Sequence, residues 1–194
     1  MSSIAPYTRE EIFHKFAEIV ADSLCIDRAK VTETAYLDDL GAESLDLLEI
    51  TMEAEDAFDI NIPQKNILQI AQEVFGDGVL VESGKLTEEG KRFLIRRMPE
   101  FEALLSEDVS VKDLNKVFLR VDSWVRMITG LIERTPRVCP KCGSAFGKAV
   151  TGRFKCGTCQ TEENIPSGDD LNREWVRRYY EQEHTTPTPP ASAV

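Results

Sequence analysis

Between positions 139 and 159 the chain spaces four cysteines as C-x2-C-x13-C-x2-C: Cys139, Cys142, Cys156 and Cys159. No other stretch limits the fold as tightly. Two residues between ligands allow a tight turn that aims both sulfurs at one ion, and four thiolates in two such pairs suit tetrahedral zinc. The alternatives are a disulfide pair or a redox C-x2-C, and two such pairs in a chain that reads as cytosolic favour metal over both. "CPKCG" supplies Pro and Gly for one turn, and "KCGTCQ" supplies a second, less regular one. Four cysteine ligands leave no open position, so the expectation is a structural Zn2+ that contributes folding energy to a short segment. Cys25 stands alone and reads as a small buried hydrophobe.

The segment 137–161 resembles a zinc ribbon with rubredoxin-like knuckles, which identifies a fold and not a function. It holds five Lys and Arg and no acidic residue. Against a nucleic-acid role stand Glu162, Glu163 and the charge of the N-terminal third. The formal net charge is −11, and residues 1–60 carry 15 of the 34 acidic residues but only 4 of the 23 basic ones. The remainder holds 19 of each sign. Such a surface repels nucleic acid and anionic lipid and attracts basic protein patches. No apolar run reaches the roughly 20 residues that span a bilayer, and "MSSIAPYTREEIF" lacks the pattern of a secretory signal. The expectation is a cytoplasmic protein.

Helical periodicity organises the rest. Thr8 and Glu11 form a capping box ahead of Ile12, Phe13, Phe16, Ile19, Val20 and Leu24, with Tyr7 and Ile12 at the staple positions. A loop over 25–43 contains Gly41, and a second helix runs from about Ser44 to Phe58. "PQKNILQIAQEVF" predicts a short third helix, and "SVKDLNKVFLRVDSWVRMITGLIE" a long one capped by Ser110 and Asp113, with Val109 and Leu114 as its staple. Residues 76–108 read as an insertion with a helix after Thr87. "DDLNREWVRRYYEQE" places Leu171, Trp175 and Tyr179 on one side of a last helix, and 184–194 is a Pro- and Thr-rich tail expected to be disordered.

On the second helix, Leu47, Ile50, Ala54 and Phe58 form a buried stripe. Asp46, Glu49, Glu53 and Asp56 share another side, bordered by Leu45, Leu48 and Met52. Carboxylates four apart repel by tenths of a kcal/mol. A face with that cost and an apolar border points to docking of basic partners; packing of Leu45 and Met52 under the insertion is the plainer alternative. Ser44 is a good helix N-cap, worth about 1 kcal/mol. The only histidines are His14 and His184, and there is no G-x-S-x-G elbow, so the sequence argues against a Ser–His–Asp hydrolase, and no other catalytic constellation is visible.

The stretch "LDDLGAESLDLLEITMEAEDAFDINIP" resembles the acyl carrier protein signature in Leu40, Gly41, Ser44, Leu45, Asp46, Glu49, Met52, Phe58, Ile62 and Pro63. The resemblance covers roughly residues 5–70, and "SVKDLNKVF" is similar to the start of the family's last helix. It implies a four-helix bundle whose serine, here Ser44, is esterified by 4′-phosphopantetheine from coenzyme A through a separate phosphopantetheinyl transferase. The thiol of that arm would carry acyl groups as thioesters to acyl-transferring or synthase enzymes. Their basic docking patches would meet Glu43, Leu45, Asp46, Leu48, Glu49, Met52, Glu53 and Asp56. A helix N-terminus favours a phosphodiester anion there, and Gly41 lets the approach loop turn tightly. Two departures stand out: Glu43 replaces the usual Asp, and 35 to 40 residues separate the third and fourth helices.

The fold class expected is therefore all-α: an acyl-carrier-like four-helix bundle (1–75 and 109–135) with an inserted subdomain (76–108), followed by a small β zinc ribbon (136–166), a C-terminal helix (167–183) and the tail. The function expected is acyl carriage in fatty-acid, lipid or secondary-metabolite synthesis, not enzymatic catalysis. An unmodified carrier-fold adaptor or a zinc-ribbon interaction module is the alternative, and a nucleic-acid-binding zinc protein ranks below it.

Overall fold

A computed structural model of the chain describes residues 7–102, 114 and 118–184. These are mostly helical, with two small two-stranded sheets. The elements are α1 (Arg9–Ser23), α2 (Ser44–Phe58), α3 (Ile67–Phe75), β1 (Val81–Glu82), β2 (Lys85–Leu86), α4 (Glu88–Arg97), α5 (Val121–Arg134), β3 (Arg153–Lys155), β4 (Glu162–Asn164) and α6 (Gly168–His184).

The capping box that opens α1 is formed: the Glu11 amide donates to Thr8 Oγ1 at 3.2 Å, and the Thr8 amide donates to Glu11 Oε2 at 2.6 Å. Behind it Ile12, Phe16, Ala17, Val20 and Ala21 turn inward. They meet Ile50, Ala54 and Phe58 of α2 and the buried stripe of α5, which includes Val121, Trp124, Val125 and Ile128. Phe16 stacks on Trp124 with centroids 5.3 Å apart. Each such side chain removed from water stabilises by about 1.5–3 kcal/mol. Cys25, expected inside, is exposed at φ +51° in the turn after α1, because the helix has already ended at Leu24.

The long helix that periodicity predicts is interrupted: Leu114 and Phe118 are helical, but α5 starts afresh at Val121. Ser110 and Asp113, the expected cap, and Val109 lie outside the described residues. Arg120 is extended and bridged to Tyr36. The Leu37 amide donates to the Leu119 carbonyl (2.9 Å), the Val121 amide to Ala35 (3.0 Å) and the Asp122 amide to Glu33 (2.9 Å). The loop between α1 and α2 therefore claims backbone groups that an uninterrupted helix would use internally.

A second core forms around α3. The cap of Asn66 starts it, its Oδ1 accepting from the Leu68 amide at 2.8 Å. Ile67, Leu68, Ile70, Ala71 and Phe75 pack with Leu80, Leu86, Phe93, Leu94 and Met98 and with Val176 and Tyr179 of α6. Among the described residues α3 thus buries its apolar side against α4 and the C-terminal helix, while α1, α2 and α5 enclose the first core. Phe93 meets Trp175 and Tyr179 edge-on at 5.4 and 5.3 Å, a favoured geometry for aromatic pairs. Thr87 caps α4 by accepting from the Gly90 amide. Where the β1–β2 hairpin crosses α4, a Cβ on Gly90 would stand 2.1 Å from the Leu80 carbonyl oxygen, so the crossing requires glycine.

The ribbon is stitched to the end of α2. Asn61 Nδ2 donates to the Ile165 carbonyl (3.1 Å), the Ala149 amide to Asp59 Oδ1 (3.0 Å) and Arg137 to the Phe58 carbonyl (2.8 Å). Three residues after β4, α6 starts against the α2–α3 linker, its Gly168 so close that a Cβ would meet the Asn61 oxygen at 2.5 Å. The tail residues 185–194 lie outside the described residues. His184, read as part of the tail, is the last residue of α6. No helix is long and apolar enough to cross a membrane among the described residues.

Candidate prosthetic-group site and metal centre

Ser44 is the first residue of α2 and is exposed. The approach to it is fixed by short bonds: the Leu40 amide donates to Tyr36, Gly41 to Asp38 and Ala42 to Leu37, and Gly41 takes φ +100°. The N-cap is not Ser44 but Glu43, which has extended φ and ψ. Its amide donates to Asp46 Oδ2 at 2.7 Å, so a carboxylate three residues on satisfies the helix start. The Ser44 hydroxyl is thereby spared. It makes no hydrogen bond to the described residues, and it lies where first-turn amides favour an anion.

Along α2, Ile50, Ala54 and Phe58 are buried as the stripe requires, with Leu47 half-buried. Leu45 is 80% exposed, Leu48 56% and Met52 62%. Glu43, Glu49, Glu53 and Asp56 are exposed as well, and Asp46 is half-buried. Among the described residues, the insertion leaves Leu45, Leu48 and Met52 exposed. At its far end Lys148 of the ribbon pairs with Asp56 at 2.7 Å, so that rung already has a cation. Neither Lys148 nor this pairing is signalled in the sequence, where the two residues lie 92 positions apart.

The four ribbon cysteines converge. Their Sγ atoms all lie within 4.8 Å of one another, with Cys139–Cys159 and Cys142–Cys156 at 3.5 Å. A tetrahedral ion bound at about 2.3 Å sets its sulfurs about 3.8 Å apart, so the donor set fits zinc. The two turns match bond for bond: the Cys139 amide donates to Ser144 and the Gly143 amide to Cys139, as Cys156 does to Thr161 and Gln160 to Cys156. Gly143 (φ +73°) and Gln160 (φ +60°) occupy the same left-handed position after each pair, which explains why the second turn looked irregular. The Thr161 hydroxyl and backbone draw the Cys159 thiol down to about 6, and Ser144 lowers Cys142. Hydrogen bonds of that kind favour the thiolate that a metal needs. Phe154, stacked on Phe146 at 5.2 Å, supplies the ribbon's apolar floor.

Sequence reasoning missed a cavity of about 500 Å3 between the two cores. α2 lines it with Leu48 and Thr51, the α2–α3 linker with Ile62 and Pro63, α5 with Trp124 and Met127, and α4 and α6 with Arg97 and Asn172. The one clue was a polar residue, Asn172, beside Leu171 on an otherwise apolar side of α6.

A protein-family model described as "Phosphopantetheine attachment site" matches residues 14–73, from α1 through Ser44 and α2 into α3. The acyl carrier protein of Rubrobacter xylanophilus is 48% identical over 63 residues, 32% of this chain and 78% of that protein. Those of Thermotoga maritima (42% over 65 residues, 33% and 80% of the two chains) and Clostridium acetobutylicum (39% over 61 residues, 31% and 79%) are similar. No solved structure matches the chain. The similarity covers the N-terminal third alone, so the insertion, ribbon and α6 are additions to it. Nearly half of the residues agree across most of a carrier's length, and the match includes the exposed serine and its helix: the chain belongs to the acyl carrier protein family, whose members are carriers and not enzymes.

Proposed function

We propose that Ser44 bears 4′-phosphopantetheine and that the chain holds acyl intermediates as thioesters on that arm for partner enzymes of fatty-acid, lipid or secondary-metabolite synthesis. The observation that carries this reading is the exposed hydroxyl at the first turn of α2, left uncommitted because Glu43 and Asp46 do the capping. The group, when bound, supplies the thiol that forms the thioester; the protein supplies position, charge and recognition. Ser44 Oγ holds the phosphodiester, and the α2 N-terminus stabilises its negative charge.

The carrier portion reads as an acyl-carrier-like bundle in which α1, α2 and α5 share one core and α3 is drawn toward the second. Glu43, Leu45, Asp46, Leu48, Glu49, Met52, Glu53 and Asp56 offer basic patches on a transferase or synthase a charged ladder with an apolar border. The four ribbon cysteines hold structural zinc, and the working compartment is the cytoplasm. The test is intact mass after co-expression with a broad-specificity phosphopantetheinyl transferase. One added phosphopantetheine, lost in Ser44→Ala, is expected, together with one zinc per chain by elemental analysis. No addition with several transferases overturns the reading.

A further inference from the structure

The cavity between the cores has two chemical characters. Leu48, Ile62, Ile67, Met98, Trp124 and Met127 give it apolar walls. Arg97, Arg126 and Asn172 give it a polar one, and the same three residues also line an adjoining cleft of about 430 Å3. That cleft adds Arg9, Arg96 and Arg134, against a single lining acid, Glu133. In a chain of net charge −11 this is an unusual concentration of guanidinium groups.

Carboxylates nearby neutralise only part of it. Arg9 is occupied by Glu33, and Arg126 by Glu100, whose Oε1 also accepts from Ser123. Arg96, Arg97 and Arg134 have no carboxylate partner among the described residues. Arg97 is held in place by neutral groups: it donates to Asn172 Oδ1 at 2.9 Å and lies 5.2 Å over the Trp175 ring. Arg126 donates to the Arg97 carbonyl at 3.1 Å, which fixes the pair together. Burial, with the like charges of Arg126 and Arg134, pulls the Arg97 guanidinium down to about 10, against a smaller opposing pull from the Glu100 carboxylate. Asn172 is only 7% exposed, and with Oδ1 taken by Arg97 its amide N–H groups have no acceptor among the described residues. Asn172 and Arg97 both line the cavity and the adjoining cleft, so both side chains border space that an incoming acceptor can enter.

α2 connects this wall to the attachment residue. Leu48 lies one turn beyond Ser44, about 6 Å along the axis, and lines the cavity. We propose that the cavity receives an acyl chain ending in a carboxylate: methylenes against the apolar walls, and the terminal carboxylate on Arg97, Asn172 and Arg126. This names a cargo class for the carrier and rests on Ser44 bearing the arm. Arg97 offers the bidentate fork that a carboxylate prefers, and Asn172 adds a neutral donor.

The test loads the full zinc-bound chain with suberyl- or octanoyl-phosphopantetheine from the corresponding coenzyme A thioesters and compares thermal midpoints. The carboxyl-ended chain is expected to raise the midpoint by about 3–6 °C over the methyl-ended one. The difference should vanish in Arg97→Gln and in Asn172→Asp. The second variant keeps the shape, gives Arg97 an internal partner and repels the incoming carboxylate, so it controls for a folding defect in the first. Equal midpoints for the two cargoes on the unaltered chain overturn the proposal. If Ser44 does not load, the carrier reading fails and the site is judged alone, by titrating the unmodified chain with monomethyl suberate and with dimethyl suberate and following amide shifts. About tenfold or more tighter binding of the monoester, lost in Asn172→Asp, sustains the site. Equal or absent binding ends it.

Discussion

The two cores of this molecule are assembled in different ways. The first joins α1, α2 and α5, which enclose Phe16, Ile50, Val125 and their neighbours between one helix and the next. The second joins α3, α4 and α6, and its last member reaches it only after the chain has passed through the ribbon. Its aromatic contacts, Phe93 with Trp175 and Tyr179, depend on α6 being delivered to the right place. The family match over residues 14–73 supplies α1 and α2 to the first core and α3 to the second, whereas α6 enters the second core only downstream of the cysteine cluster.

That contrast can be broken at several strengths. The two tryptophans divide between the cores, Trp124 in the first and Trp175 against the second, so Trp175→Phe and Trp124→Phe backgrounds report on each separately. The largest effect is expected from removing the proposed zinc, because zinc binding in such small sites is worth on the order of 10 kcal/mol. A strong chelator, or Cys156→Ser, should release the Trp175 signal while Trp124 keeps its native emission; simultaneous loss of both would show one cooperative unit. Next, Phe93→Ala should cost about 3–5 kcal/mol in urea melts followed through Trp175. Gly90→Ala should cost about 1–3 kcal/mol by overpacking against the Leu80 carbonyl, again felt first in the second core. Thr8→Ala should cost about 1 kcal/mol, read through Trp124. Lys148→Ala should cost less than about 1 kcal/mol, as exposed ion pairs do, and its effect should fade at high salt.

Local chemistry was legible in the sequence and long-range choice was not. Thr8 with Glu11, Thr87 before α4 and the cysteine spacing each act within a few residues, and each appears as read. The partner of α3 could not be read, because an apolar stripe states that a helix is buried but not against what. The break at Arg120 was hidden for the same reason: Leu114, Phe118 and Val121 keep helical spacing, and only the distant loop around Tyr36 pulls the backbone out. Of the two roles open to Ser44, cap and attachment residue, the first is taken by the Glu43 amide and the Asp46 carboxylate, a choice its serine identity does not reveal. Arg97, Arg126 and Asn172 lie on three helices, and nothing in their spacing announces that they meet.

The Lys148–Asp56 contact makes α2 polar along its length as well as around it. One end of the helix is quenched by the molecule's own cation, while Glu43, Glu49 and Glu53 stay open toward Ser44. The unpaired carboxylates of α2 therefore gather at the serine end, and the negative potential along the helix fades toward the ribbon.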